Sequence, residues 1–136
     1  KQLSVINISG NRLTSLPEEL FTGCSNLTLL NVAENKLTSL PKTIGCASSL
    51  GKLNLGGNKI TELPIELCAL RNLKTLIIAE NEISDLPKEF GEENSLPKLE
   101  ELMGMRAGLK KLSGIPRNVK HVALAGNSIG EIPACL

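Results

Sequence analysis

The fold of this chain is decided by the stretch Leu50-Gly51-Lys52-Leu53-Asn54-Leu55-Gly56-Gly57-Asn58-Lys59-Ile60, which Leu63-Pro64 completes. Its pattern is L-x-x-L-x-L-x-x-N-x-I-x-x-L-P. The same pattern, more loosely toward the end, starts again at Leu3, Leu27, Leu73, Leu99 and Val119. Repeats of 20 to 26 residues therefore cover essentially all 136 residues, and such a period indicates a stacked, solenoid-like architecture.

The first half of each repeat has the periodicity of a β-strand. With the first Leu as position 0, apolar residues at positions 0, 3 and 5 alternate with positions 2, 4 and 6, so one face is buried. Position 8 is asparagine in five repeats and Ala107 in the fifth. An asparagine amide can donate to and accept from backbone groups at a turn. We therefore expect stacked asparagines where the strands bend away: Asn11, Asn35, Asn58, Asn81 and Asn127.

The second half of each repeat begins with proline at position 14 in five repeats, namely Pro17, Pro41, Pro64, Pro87 and Pro133. Proline has no N–H donor, so it blocks further strand pairing and starts the return segment. About ten residues remain for each return. The stretches 41–49 and 64–72 are therefore predicted to form short 3₁₀ or irregular turns rather than long helices. No repeat buries its own apolar face, so stacking has to supply the core.

These motifs resemble those of leucine-rich-repeat proteins. The L-P-x-x-I form resembles the intracellular Ras-binding and plant Ras-related group, and the stretch from Ile115 to Pro133 is similar to the 20-residue repeats of bacterial effectors. The resemblance implies an α/β fold: a right-handed solenoid with a concave parallel sheet of about six strands and a convex side of short 3₁₀ or irregular segments. Residues 1–136 would be one domain with repeats starting near 3, 27, 50, 73, 99 and 119.

The two ends of the chain lack polar caps, which solenoids need for solubility. Lys1 leads directly into a strand, and Leu136 falls on an apolar position. We therefore expect the domain to be part of a longer chain, with its ends covered by adjacent repeats, another domain or a partner.

Composition argues against several functional classes. The net charge of +1 gives no bulk attraction to nucleic acid, and no apolar run reaches the length of a membrane span. The sequence has no glycine-rich phosphate loop and no paired-histidine metal motif. His121, the one histidine, is expected on the concave side and Cys135 on the convex side, which argues against a Cys–His pair. We expect no enzyme activity, no cofactor and no metal.

Cysteines and sequons point to different compartments. Cys24, Cys46 and Cys68 recur 22 residues apart, which favours a column of buried thiols over a disulfide or metal site. Thiols without a disulfide framework favour the cytoplasm. The sequons Asn7-Ile8-Ser9 and Asn26-Leu27-Thr28 support an extracellular alternative, although such triplets also arise by chance in an asparagine-rich repeat.

A partner site is predicted on the concave face. Position 4 changes from asparagine in three repeats to Ile77 and Met103, and with Met105 these form an apolar patch. Methionine is adaptable and common on binding surfaces, whereas scattered apolar surface residues are also ordinary. The charged neighbours predicted to flank the patch are Glu101, Arg106 and His121.

A second candidate is a basic edge formed by Arg12, Lys36 and Lys59, with Lys52 on the strand face. It would meet an acidic segment, or it is an ordinary solvated row. The fifth repeat departs from the pattern at Gly104, Ala107 and Ser113 and follows the insertion 91–98. Such departures mark either function or drift.

The function predicted from the sequence is non-catalytic protein–protein recognition by a scaffold or targeting module. The resemblance implies signalling partners such as small GTPases, phosphatases or kinases. Two alternatives stay open: an extracellular recognition or adhesion receptor, and a structural component of a larger assembly.

Overall fold

The architecture is one six-stranded parallel sheet in the order β1 to β6, seen in a computed structural model that describes residues 2–134. The strands are three residues each: β1 Val5–Asn7, β2 Leu29–Asn31, β3 Lys52–Asn54, β4 Thr75–Ile77, β5 Glu101–Met103 and β6 His121–Ala123. Equivalent positions pair throughout, as in Ile6 with Leu30 and Leu102 with Val122. The unequal repeat lengths are therefore absorbed outside the sheet.

Short segments form the opposite side. The first repeat has a single helical turn, α1 (Glu19–Gly23), and the next three have the 3₁₀ segments Lys42–Cys46, Ile65–Ala69 and Lys88–Gly91. Pro41 and Pro64 precede their segments in extended conformation, with φ of −67° and −70°. Their carbonyls accept the N–H groups of Ile44 and Leu67, each at 3.1 Å. The prediction of a leucine-rich-repeat solenoid is confirmed. The prediction that proline precedes a short 3₁₀ return segment is also confirmed.

The core lies between the sheet and the return segments and is aliphatic apart from Phe21, Phe90 and Cys24. Leu53 and Leu76 of the central strands are fully buried, as are Leu67 and Phe90 of the returns. Burying a leucine or phenylalanine side chain contributes roughly 1.5–3 kcal/mol each. Because each of the inner strands β2 to β5 buries its leucine against both neighbouring repeats, the core is continuous along the solenoid.

The stacked asparagines lie inside the turn that follows each strand. Asn58 Oδ1 accepts the N–H of Leu37 at 3.0 Å, and its Nδ2 donates to the carbonyls of Leu55 at 2.9 Å and Val32 at 3.1 Å. Asn35 and Asn81 bind in the same way. Each amide thus links its own turn to the preceding repeat, as the sequence predicts.

The fifth repeat satisfies the same groups by other means. The N–H of Ile83, which an asparagine at position 107 would bind, donates to the backbone carbonyl of Ala107 at 2.8 Å. Ser113 stands at the proline position, and both its N–H and its hydroxyl donate to the Asp85 carboxylate. A Cβ on Gly104 would lie 3.0 Å from Leu124. These departures have structural roles in the contact between neighbouring repeats.

The predicted column of buried thiols is wrong for two of its three members. Cys24 is buried, but Cys46 is exposed and Cys68 is half-buried. The buried position is the third residue before the first leucine of the next repeat. Cys24 precedes Leu27 by three residues, whereas Cys46 precedes Leu50 by four and Cys68 precedes Leu73 by five. Beyond Cys24, that position holds Ala47, Leu70 and Leu96. The thiols of residues 2–134 form no disulfide, and Cys135 lies outside that range.

The end repeats expose residues that are buried elsewhere. Leu3, at position 0, is 52% exposed, whereas the equivalent Leu50 is fully buried. Ile132, at position 13, is 80% exposed, and the equivalent Leu63 only 5%. The reason is that each interior repeat is covered on both sides, whereas an end repeat has one neighbour. Lys1 and Leu136, on which the sequence expectation rested, lie outside the described residues.

Candidate functional site

The candidate site is the sheet face that carries positions 2, 4 and 6, together with the turns that follow the strands. The side chains of Lys52, Glu101 and His121 at position 2 are exposed. The side chains at position 6 protrude little from the sheet, because Ala33 and Ala79 are small and half-buried and Gly56 is buried. A ligand that lies across this face therefore meets a shallow surface over position 6 and longer side chains on either side.

The predicted apolar patch is assembled in part by strand register. Ile77 pairs with Met103 across β4 and β5, so the two side chains are neighbours at position 4. Met105 lies two residues beyond Met103, and its carbonyl accepts the N–H of Glu80 at 2.9 Å. All three apolar side chains are half-buried. The patch therefore offers adaptable apolar area without an open cavity.

A shallow depression brings several predicted residues together at the last two strands. Glu101, Met103 and His121 line it, along with Glu100 and Lys120. Lys120 Nζ lies 3.0 Å from Glu100 Oε2. That hydrogen bond, with the positive charge of Lys120, lowers the pKa of Glu100. The depression thus holds charged groups of both signs beside the apolar side chain of Met103.

Arg106 lies on the turn after β5, where its guanidinium forms an exposed ion pair with Glu80 at 3.7 Å. Position 7, which holds both residues, is left-handed in every repeat: φ is +50° at Arg106 and +55° at Glu80. Glu34 and the glycines of the other repeats share this conformation. The left-handed turn fixes where these charged side chains leave the backbone. Sequence reasoning missed this feature, and its signal is the alternation of glycine with charged residues at position 7.

The basic edge lies one residue after the asparagines at position 8. Lys36 and Lys59 donate their N–H groups to Leu13 and Leu37 of the preceding repeats, each at 2.8 Å. This places one exposed cation per repeat beyond the ends of β1 to β3, counting Arg12. The two predicted clusters are therefore separate: the basic edge lies on repeats one to three, and the apolar patch lies on repeats four and five.

This face offers a ligand apolar side chains and exposed charged groups. Among residues 2–134, no group of three His, Cys, Asp or Glu side chains could hold a metal ion. The same stretch contains no helix that is long and apolar enough to cross a bilayer. The half-buried Cys68 on the return side has a raised pKa because burial disfavours the thiolate, which makes it a poor nucleophile.

Comparisons with known proteins agree with this architecture. A family model described as leucine rich repeat matches residues 1–60. A plant peptide hormone receptor, RGFR1, solved in complex with RGF2, is 31% identical with a TM-score of 0.80 over 98% of this chain. A leucine-rich-repeat protein of Leptospira interrogans is 26% identical with a TM-score of 0.56 over 98% of this chain. An internalin of Listeria monocytogenes, 22% identical over 94% of this chain with a TM-score of 0.71, shares the fold.

The chain spans only part of those proteins: 22% of the plant receptor, 45% of the Leptospira protein and 36% of the internalin. No curated protein matches it. The architecture is a leucine-rich-repeat solenoid, and the leucine rich repeat family model matches its first 60 residues. Neither the intracellular subtype nor the effector-like character predicted for the last repeats finds specific support among these matches.

Proposed function

We propose that this leucine-rich-repeat solenoid is a non-catalytic module that binds a protein partner on its concave face. The observation that carries the proposal is the pairing of Ile77 with Met103 beside the depression that Glu101 and His121 line. Apolar anchors surrounded by charged side chains are typical of protein interfaces. The plant receptor supports the same use of the fold, since it was solved in complex with the peptide hormone RGF2.

The partner would contact the apolar patch and the exposed charges around it. Half-buried methionines can repack against a partner, while Arg106, Glu101 and His121 would set orientation through charge. Lys36, Lys52 and Lys59 belong to a second part of the same interface, which lies toward the first repeats. The use of the module as a signalling scaffold, and a cytoplasmic location, remain predictions.

The proposal is tested by capture of partners with purified wild-type chain and with the variant Ile77→Glu, Met103→Glu, Met105→Glu. The matched control is Ile65→Glu on the return side, where the native side chain is 54% exposed. We expect a partner that binds wild type and the control and is lost from the triple variant, with folding checked by circular dichroism. Equal capture by all three proteins would contradict the proposal.

A second variant guards against unfolding of the first. Glu101→Lys with His121→Glu changes two exposed side chains, so the fold should be kept. Loss of the same partner from this double variant would support the concave site. Retention of the partner by a folded triple variant would contradict it.

The alternative of an extracellular recognition domain is favoured by the plant receptor match and by the exposure of both sequon asparagines, Asn7 and Asn26. It is tested by mass spectrometry of the chain produced through a secretory pathway. Glycans on both asparagines would support this alternative, and unmodified asparagines would contradict it. The alternative of a structural assembly component would be supported if partners were lost from Ile65→Glu but not from the triple variant.

The exposed end faces support a further part of the proposal: adjacent repeats, another domain or a partner cover them. Leu3 and Ile132 are the most informative residues because their equivalents elsewhere are buried. We expect the isolated chain to self-associate, and Leu3→Gln with Ile132→Gln to reduce this in analytical ultracentrifugation. A wild-type chain that stays monomeric at high concentration would contradict this part.

A further inference from the structure

Three asparagines on the concave face form a second column that is distinct from the buried one: Asn7 is exposed, and Asn31 and Asn54 are half-buried. Asn7, Asn31 and Asn54 occupy position 4 at the ends of β1, β2 and β3. Strand register places Asn7 beside Asn31 and Asn31 beside Asn54. Neighbouring strands lie about 4.8 Å apart, so the column spans roughly 10 Å across the sheet.

The oxygen of each amide is already occupied. Asn31 Oδ1 accepts the N–H of Ala33 at 3.0 Å, and Asn54 Oδ1 accepts the N–H of Gly56 at 3.0 Å. Asn7 Oδ1 accepts both the N–H and the hydroxyl of Ser9, at 3.2 and 2.9 Å. A backbone N–H can bond only to an oxygen, so the orientation of each amide is fixed.

The nitrogen of each amide is left as a donor. No hydrogen bond from Nδ2 of Asn7, Asn31 or Asn54 occurs among residues 2–134, in contrast to the buried Asn35 and Asn58, whose Nδ2 atoms donate to carbonyls. This concave-face column therefore presents a row of N–H donors, while the amide oxygens are used internally. Such a row favours a ligand with acceptor oxygens over one with donors.

The surroundings of this donor row define its ligand further. The adjoining column consists of Ser9, Ala33 and Gly56, which leave room for the close approach of a main chain. The row ends where Ile77 takes position 4. Positions 2 to 9 of the first three repeats carry four cations and one carboxylate, Glu34: the cations are Arg12, Lys36, Lys52 and Lys59.

We infer that the donor row of Asn7, Asn31 and Asn54 binds an acidic, extended peptide segment of the protein partner. Carbonyl and carboxylate oxygens of that segment accept hydrogen bonds from the Nδ2 groups, and the flanking lysines offset its charge. The inference rests on the proposed function and names the chemistry of the partner. A single-stranded nucleic acid fits less well, because stacking aromatics are absent from this face: Phe21 and Phe90 are buried, and the sequence has no Trp or Tyr.

The test uses the 136-residue chain labelled with ¹⁵N and a short peptide of alternating Asp and Ser. We expect the side-chain amide resonances of Asn31 and Asn54 to shift during the titration, while those of Asn26 and Asn94, exposed elsewhere, stay in place. A peptide of alternating Lys and Ser should produce no shift. Absence of binding by the acidic peptide, or equal binding by the basic peptide, would overturn the inference.

Two double variants separate the effect of hydrogen-bond donation on peptide binding from the effect of charge. Asn31→Asp with Asn54→Asp keeps the acceptor oxygens and removes the donors, and Asn31→Ala with Asn54→Ala removes the donors without adding charge. Both should weaken peptide binding by roughly tenfold or more, as expected for the loss of charge-assisted hydrogen bonds. The charge-matched control is Asn26→Asp with Asn94→Asp, which should bind like wild type. An alanine variant that binds as tightly as wild type would overturn the inference.

The outcome is distinguishable from that of the proposed function. The triple variant at Ile77, Met103 and Met105 keeps the donor row, so a folded triple variant should still bind the acidic peptide. If the peptide fails to bind wild type while a captured partner depends on the apolar patch, the inference about the donor row fails and the proposed function stands.

Discussion

The backbone carbonyl of Ala107 accepts the N–H of Ile83 at 2.8 Å, which is the role that an asparagine side chain plays in the preceding repeats. Leu37 and Ile60 donate their N–H groups to Asn58 and Asn81 at 3.0 and 3.1 Å. The fifth repeat thus meets the same requirement with the main chain. The requirement, a partner for an inward-facing N–H, is a property of the turn, and the residue that meets it can vary.

Replacement of Asn58 by alanine should lower the free energy of unfolding by about 1–3 kcal/mol, because it leaves the N–H of Leu37 without its acceptor in a buried turn. The matched control is Asn11→Ala. Asn11 is exposed and bonds only to carbonyls of its own repeat. Urea unfolding measures both variants, and equal losses would show that the link between repeats adds nothing.

Ser113→Pro restores the consensus of the repeat and should nevertheless destabilise the protein. Proline removes the N–H that donates to Asp85 Oδ1 at 2.8 Å, and it removes the hydroxyl that binds the same carboxylate. We expect a loss of about 1 kcal/mol or more. Thermal unfolding checks this result, with Ser113→Ala as the comparison that keeps the N–H. Stabilisation by proline would contradict the role assigned to Asp85.

Gly114→Ala should destabilise the protein by about 1–3 kcal/mol, because the added methyl group collides with main-chain oxygens. A Cβ at this position would lie 2.7 Å from the carbonyl oxygen of Lys88 and closer still to that of Pro87. Gly130→Ala is the control, since nothing lies within 4 Å of a Cβ there. Denaturant unfolding should separate the two variants, and a neutral Gly114→Ala would contradict this close approach.

The thiols should react with a soluble disulfide reagent in the order Cys46, Cys68, Cys24. Cys46 is exposed, Cys68 is half-buried with a pKa raised by burial, and Cys24 is buried. The Cys135→Ser background removes the fourth thiol. Labelling followed by peptide mass spectrometry gives the order, and reaction of native Cys24 before Cys46 would contradict the described packing.

Lys120→Gln should raise the pKa of Glu100 toward its ordinary value, because Lys120 supplies the hydrogen bond and charge that lower it. A carboxyl pKa lowered in the folded state stabilises the fold above the pKa of the unfolded state, and this contribution is lost as pH falls through the folded pKa. Carboxyl NMR titration measures the shift, with Lys110→Gln as an exposed control. The stability difference between wild type and Lys120→Gln should disappear in acid. An unchanged Glu100 titration in Lys120→Gln would be contrary evidence.

Much of the site could be anticipated from the sequence, and some of it could not. The columns of the concave face follow from counting within the repeat, since a strand turns alternate residues to one face. The pairing of Ile77 with Met103 and the exposure of Glu101 and His121 agree with that count. The internal bonds of Asn7, Asn31 and Asn54 were missed, although the N-x-S, N-x-A and N-x-G triplets are a local signal of such turns.

The sequence by itself determined the solenoid. The 20- to 26-residue period, the alternation before each position 8 and the proline that follows five of the six strands specify strand, turn and return locally, and each repeat needs a neighbour to bury its leucines. Contacts between repeats decided the rest. The acceptor for the N–H of Ile83 and the asparagine amides that keep free donors depend on groups more than 20 residues away. The burial of each cysteine depends on the exact path of the return segment. The repeat pattern determines the order in which the repeats stack, whereas burial and hydrogen bonding depend on the contacts between neighbouring repeats.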